Sequence, residues 1–122
     1  MKKTYEKNIV AEKSVAFALR IVKAYKYLCE QHKEYVLSKQ MLRSGTAIGA
    51  LIREAEHAES KADFIHKLSI ALKEANETDY WLLILKESGY LNDMEYNSIV
   101  NECQEILRLL VSIIKTSKTV TK

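Results

Sequence analysis

The strongest constraint on this chain is what it lacks. There is no proline in 122 residues, and there are only 3 glycines. Reverse turns draw on both residue types, so an all-β fold with its many turns does not fit. Long helices joined by a few short connections do. The length suits one core, and residues 1–122 read as a single domain. Hydrophobic residues make up 48% and charged residues 29%, which is enough apolar material for a packed interior.

Apolar residues recur at three- and four-residue steps in four segments, the signature of amphipathic helices. The first spans about residues 9–32, with Ser14, Phe17, Ala18, Ile21, Tyr25 and Leu28 on one stripe. The second spans about 39–58, with Ser38 as the expected N-cap. Ser60 opens the third, at about 61–88, with Asp63 placed to return the cap and Gly89 placed to end the helix. Asn92 and Glu95 open the fourth, at about 93–116, ahead of a polar tail expected to fray. Short connections turn each helix back on the last. The expected fold class is therefore all-α, an antiparallel up-down-up-down four-helix bundle.

Two features point beyond a single chain. Gly45 and Gly49 lie four apart inside the second helix, where each costs roughly 1 kcal/mol against alanine. The favoured reading is close approach of another helix over a small-residue face. The run Tyr80-Trp81-Leu82-Leu83-Ile84-Leu85 is apolar on every side of its helix, as is much of Leu107 to Ile114. Excess apolar surface of this kind suits a contact with another copy. Gly45, Gly49, Tyr80, Trp81 and Ile84 are the expected homo-oligomer interface.

Charge is unevenly spread. Between Lys13 and Arg53 stand eight basic and two acidic residues, while Glu54 to Glu105 holds four basic and twelve acidic ones. A basic surface on the first two helices would meet phosphates, with Arg20, Lys23, Lys26, Lys39, Arg43 and Arg53 as the expected contacts. Tyr27 and Tyr35 are placed to stack on bases nearby. Alternatively, the basic helices of one copy face the acidic third helix of the next, a head-to-tail contact that closes into a ring. Solvated helix faces are the third reading.

Catalytic and metal chemistry find little support. Glu54-x-x-His57 and Asp63-x-x-His66 have di-iron spacing, but the fourth helix ends in Lys115 and Lys118 and offers no carboxylate at that level. No nucleophile elbow, phosphate loop or CxxC spacing occurs. No catalytic residue, metal, cofactor or small-molecule substrate is expected. Cys29 and Cys103 read as core residues in a reducing cytoplasm. The longest apolar run is too short to span a bilayer, and Glu77, Asp79 and Glu87 around Trp81 disfavour surface membrane binding.

Two stretches carry a family resemblance. Arg43-Ser44-Gly45-Thr46-Ala47-Ile48-Gly49-Ala50-Leu51-Ile52-Arg53-Glu54-Ala55 resembles the second helix of the four-helix-bundle proteins encoded in intervening sequences of bacterial 23S rRNA genes. The segment from Ser60 to Leu82 is closer still, with the family's S-x-x-[DE]-F opening and its L-x-I-A-L-K-E-A-x-E-T-x-Y-W-L run. The resemblance covers nearly the whole chain. It implies a bundle similar to the pentameric accessory protein of diversity-generating retroelements, hence a homo-oligomer, a pentamer in that relative, with RNA or a ribonucleoprotein as partner. The chain departs from the family at Leu51, commonly Asn, and Ala55, commonly Gly.

Overall fold

The computed structural model describes residues 2–119, with side chains from Tyr5 onward. Four helices follow one another: α1 (Lys2–His32), α2 (Leu37–Glu56), α3 (Lys61–Glu87) and α4 (Asp93–Thr119). No strand occurs among the described residues. α1 starts about two turns before its apolar stripe, because the stripe reports only the buried face. Residues 2–8 contain no helix breaker, so the helix extends through them. α1 stops where Lys33 takes a φ of 54°, a left-handed conformation that a helix cannot continue through. α4 runs to Thr119. Residues 120–122 of the expected frayed tail lie outside the described residues.

The start of α2 corrects an expectation. Ser38 does not cap it; Ser38 is buried inside the first turn and its hydroxyl donates to the Glu34 carbonyl at 2.8 Å. The cap is the Glu34 carboxylate. It accepts the backbone N–H groups of Val36 (3.0 Å), Leu37 (2.8 Å) and Ser38 (2.7 Å). The free N–H groups of a first turn need acceptors, and a carboxylate one bend upstream supplies them together with favourable charge.

The other ends follow local sequence. Ser60 Oγ accepts the Asp63 N–H at 3.0 Å, and Asp63 in turn accepts the Glu59 N–H at 3.2 Å. Asn92 and Glu95 exchange side-chain bonds to each other's N–H at 2.8 and 2.9 Å, a full capping box. α3 ends in a Schellman turn: Gly89 N–H to Lys86 O at 3.0 Å and Tyr90 N–H to Leu85 O at 2.9 Å. Gly89 has a φ of 87°, which explains glycine there.

Each helix packs against two neighbours, α1 on α2, α2 on α3, α3 on α4 and α4 on α1. Contact partners run in opposite order. Along α1, Glu6, Lys13 and Arg20 meet Ser112, Glu105 and Glu102 of α4; along α2, Ser44 and Glu54 meet Thr78 and Lys67 of α3. One core lies between them, with Phe17, Ile21, Leu28, Ile48, Leu82 and Leu110 fully buried. α1 packs tightly on α2 at Gly45, which is buried. A Cβ there would stand 2.8 Å from Ile21 Cγ1. Inside the core, Thr78 Oγ1 donates to Ser44 Oγ at 2.9 Å and ties α3 to α2. Among the described residues no helix is long and apolar enough to cross a membrane.

Candidate functional site

The six basic residues singled out above fall into two groups. Arg20 and Arg43 are engaged within the chain. Arg20 Nη1 donates to Glu102 Oε2 at 2.7 Å and to the Ser98 carbonyl at 3.2 Å, and Nη2 donates to Ser98 Oγ at 3.0 Å. Its guanidinium is a strut between α1 and α4. Arg43 bridges α2 to α3 through Glu74, at 3.3 Å, and Glu77. The hydrogen bond to Glu77 is the main reason the guanidinium holds its proton above the usual range. Glu77 also accepts the Trp81 indole N–H at 3.2 Å. That bond first, then Arg43, holds the Glu77 carboxyl below the usual carboxylate range. Glu74 Oε1 is buried with no hydrogen-bond donor of its own, so Arg43 is the counter-charge that makes its burial tolerable.

Lys23, Lys26, Lys39 and Arg53 are exposed, on α1 and α2. Among the described residues no ion pair holds any of them. Of the six, these four are the side chains available to an anionic partner. Tyr35 is also exposed, beside Val36, the second most exposed large apolar side chain among the described residues.

The residues expected at an oligomer interface separate as well. Gly45 lies beneath Ile21 of the same chain, so its lack of a side chain is explained by helix packing. Gly49 is half-buried next to Ser14. With Thr46, Ala50, Val15, Leu19 and Arg53 it lines a groove of about 310 Å³ along the α1–α2 seam. Val15 is 48% and Leu19 63% exposed. On α3, Tyr80 and Leu83 face outward, Leu82 and Leu85 are buried, and Trp81 and Ile84 are half-buried. The apolar run is thus divided between core and surface.

The acidic members of the two di-iron-spaced pairs have structural partners. Glu54 pairs with Lys67 at 3.1 Å, and Asp63 serves the α3 cap. Among the described residues no group of three or more His, Cys, Asp or Glu side chains is placed to hold a metal ion. Cys103 is buried, and burial first, then Asp79, pushes its thiol up to about 12. It is a poor nucleophile at neutral pH. His32 bonds Tyr27 at 3.1 Å.

One feature was not legible in the helix stripes. A hollow of about 670 Å³ opens between α1 and the first turns of α4. α1 contributes Arg20, Lys23, Ala24 and Tyr27, and α4 contributes Met94, Glu95 and Ser98. Met94 is 81% exposed. The available signal was a large apolar residue standing off the α4 stripe, between Asp93 and Glu95.

Comparisons with known proteins agree with this architecture. The family model described as "23S rRNA-intervening sequence protein" matches residues 6–112. A solved structure from Bacteroides thetaiotaomicron, a protein of unknown function from the S23 ribosomal protein family, is 59% identical. It superposes with a TM-score of 0.89 over 90% of this chain and 98% of that one. No curated protein matches the chain.

Proposed function

Since this chain belongs to the 23S rRNA-intervening sequence protein family, we propose that it is a non-enzymatic, cytoplasmic accessory protein that binds RNA or a ribonucleoprotein through α1 and α2. The observation that carries this reading is the division among its basic residues. Arg20 and Arg43 are tied down by carboxylates of the same chain. Lys23, Lys26, Lys39 and Arg53 remain exposed on the two helices. The three lysines suit phosphate as point charges and Arg53 as a planar fork, and four phosphate contacts give affinity that depends steeply on salt.

The frame proposed for this surface is one domain, an antiparallel up-down-up-down bundle. The opposite numerical order of contacts along neighbouring helices supports it. We further propose that the bundle works as a homo-oligomer, a closed ring of five by the family resemblance. Exposed Val15 and Leu19 on one side, with Tyr80 and Leu83 on another, support a heterologous contact between copies. The same apolar surface favours a second reading, a protein-interaction scaffold with no nucleic-acid role.

Binding of a structured rRNA fragment and of an unrelated RNA, each over a series of salt concentrations, separates the two. The expected result is a log–log salt slope of about −3 from four phosphate contacts. The double variant Lys23→Glu/Lys26→Glu should abolish binding and leave the molecular mass of the assembly unchanged. No binding of either RNA at low salt would sink the nucleic-acid reading and leave the scaffold.

A further inference from the structure

We propose that the hollow between α1 and α4 receives one unpaired base of a single-stranded RNA, with Lys23 on the adjoining phosphate. The proposal rests on the RNA-binding reading above and says which form of RNA is preferred. The hollow measures about 670 Å³, within the range of sites that hold small ligands and ample for a single nucleotide. Its walls divide into apolar and polar parts, as a base requires. Tyr27 offers an aromatic ring anchored from two sides: the hydroxyl sits 3.1 Å from His32 Nε2 and also meets the Glu95 carboxylate, and the His32 ring meets Tyr27 edge-on with centroids 5.2 Å apart. A ring held in this way is a preorganised stacking platform. Met94, 81% exposed, stands at the rim as an adaptable apolar cover.

The polar groups suit a base edge. Ser98 Oγ accepts from Arg20 at 3.0 Å, which leaves its hydroxyl hydrogen for an acceptor on the ligand. The Glu95 carboxylate accepts the Asn92 N–H at 2.9 Å through Oε1 and also meets the Tyr27 hydroxyl, and of its roughly four lone-pair sites those left over suit an exocyclic amino group. Arg20 itself is fixed by Glu102 and Ser98, so it forms a wall. Lys23 lines the hollow and is exposed, and Lys26 stands exposed further along α1. The backbone of a strand whose base enters the hollow would pass these two cations. A duplex keeps its bases stacked and paired, so it reaches the lysines but not the hollow.

The test uses the full chain and a twelve-nucleotide RNA carrying 2-aminopurine at its centre, either single-stranded or annealed to its complement, at one salt concentration. The expected result is at least tenfold tighter binding of the single strand, with a fluorescence change on binding for that form alone. Ala24→Phe fills the hollow from the α1 side, and Met94→Ser strips its rim at a position too exposed to affect folding. Each should lower single-strand affinity, Ala24→Phe to the duplex level, without moving duplex affinity. If Ala24→Phe does not fold, Met94→Ser carries the test. Equal affinity for strand and duplex, or single-strand binding indifferent to both variants, would overturn the base site while leaving RNA binding itself standing. Binding of neither RNA would remove the underlying reading as well. An acidic amphipathic peptide that binds the wild type but not Ala24→Phe, with RNA binding unmoved, would make the hollow a protein-docking groove and overturn the proposal.

Discussion

Gly45 and Gly49 share a helix and a residue type but differ in what opposes them. A Cβ on Gly45 would lie 2.8 Å from Ile21 Cγ1 and 3.0 Å from Cγ2. Ile21 is fully buried, and branching at Cβ leaves it one comfortable rotamer in a helix. Gly45→Ala gains about 1 kcal/mol of helix propensity and meets an overpacking penalty of about 1–3 kcal/mol. A net loss of about 1 kcal/mol is expected. A Cβ on Gly49 would lie 3.1 Å from Ser14 Oγ, a single atom on a rotatable bond, although that hydroxyl now donates to the Ala11 carbonyl at 2.8 Å. Propensity and crowding then nearly cancel, and Gly49→Ala should stay within about 0.5 kcal/mol of wild type. Urea midpoints of the two variants check the contrast, and a stabilised Gly45→Ala would contradict the close approach of α1. The sequence showed that these glycines needed a reason. It did not show which residue of α1 supplied the reason for each, because that depends on helix register.

At the scale of elements, the α1–α2 connection carries the clearest dependence on a single group. The Glu34 carboxylate is buried, which by itself would raise its pKa, but the N–H groups of Leu37, Ser38 and Val36 together outweigh that and hold it below the usual range. A depressed carboxylate pKa stabilises the fold above the unfolded-state pKa, and this stabilisation is lost as pH falls through the folded value. Replacing Glu34 with Gln removes the charge and leaves at least one first-turn N–H without an acceptor. A loss of about 1–2 kcal/mol at neutral pH is expected. The gap between wild type and Glu34→Gln should close as the pH is lowered through the acid side of the carboxylate range. Urea unfolding at a series of pH values measures it, and a gap independent of pH would show that the carboxylate charge is not what holds the turn. The caps of α3 and α4 were legible because both partners sit three residues apart in sequence. The cap of α2 was not, because Glu34 stands outside the helix and acts across the bend at Val36, and Ser38 is the stronger capping residue by type.

For the molecule as a whole, charge segregation was plain in the sequence, but its use was not. Arg20 meets Glu102 across 82 residues, and only the packing of α1 on α4 decides that. Because Arg43 neutralises Glu74 and Glu77 of its own chain, reversing its charge would disturb the α2–α3 contact and would report on neither RNA nor assembly. Trp81 is the better probe of assembly. Its indole N–H is held by Glu77 at 3.2 Å, its ring meets Tyr80 at 5.1 Å, and it is half-buried against the core. Full burial of a Trp would make truncation to Ala cost about 3–5 kcal/mol. Half-burial lowers the expected loss to about 2 kcal/mol, on the order of 10 °C in Tm. Tyr80→Ser, at a position 54% exposed, should leave the folding of the chain itself nearly untouched. If α3 faces another copy, both variants should reduce the mass measured by light scattering to that of a single chain at micromolar concentration, with Tyr80→Ser doing so at little thermal penalty. A mass unchanged in both, with Tm sharply lowered only in Trp81→Ala, would place Trp81 in the interior of one chain and remove α3 from the assembly surface.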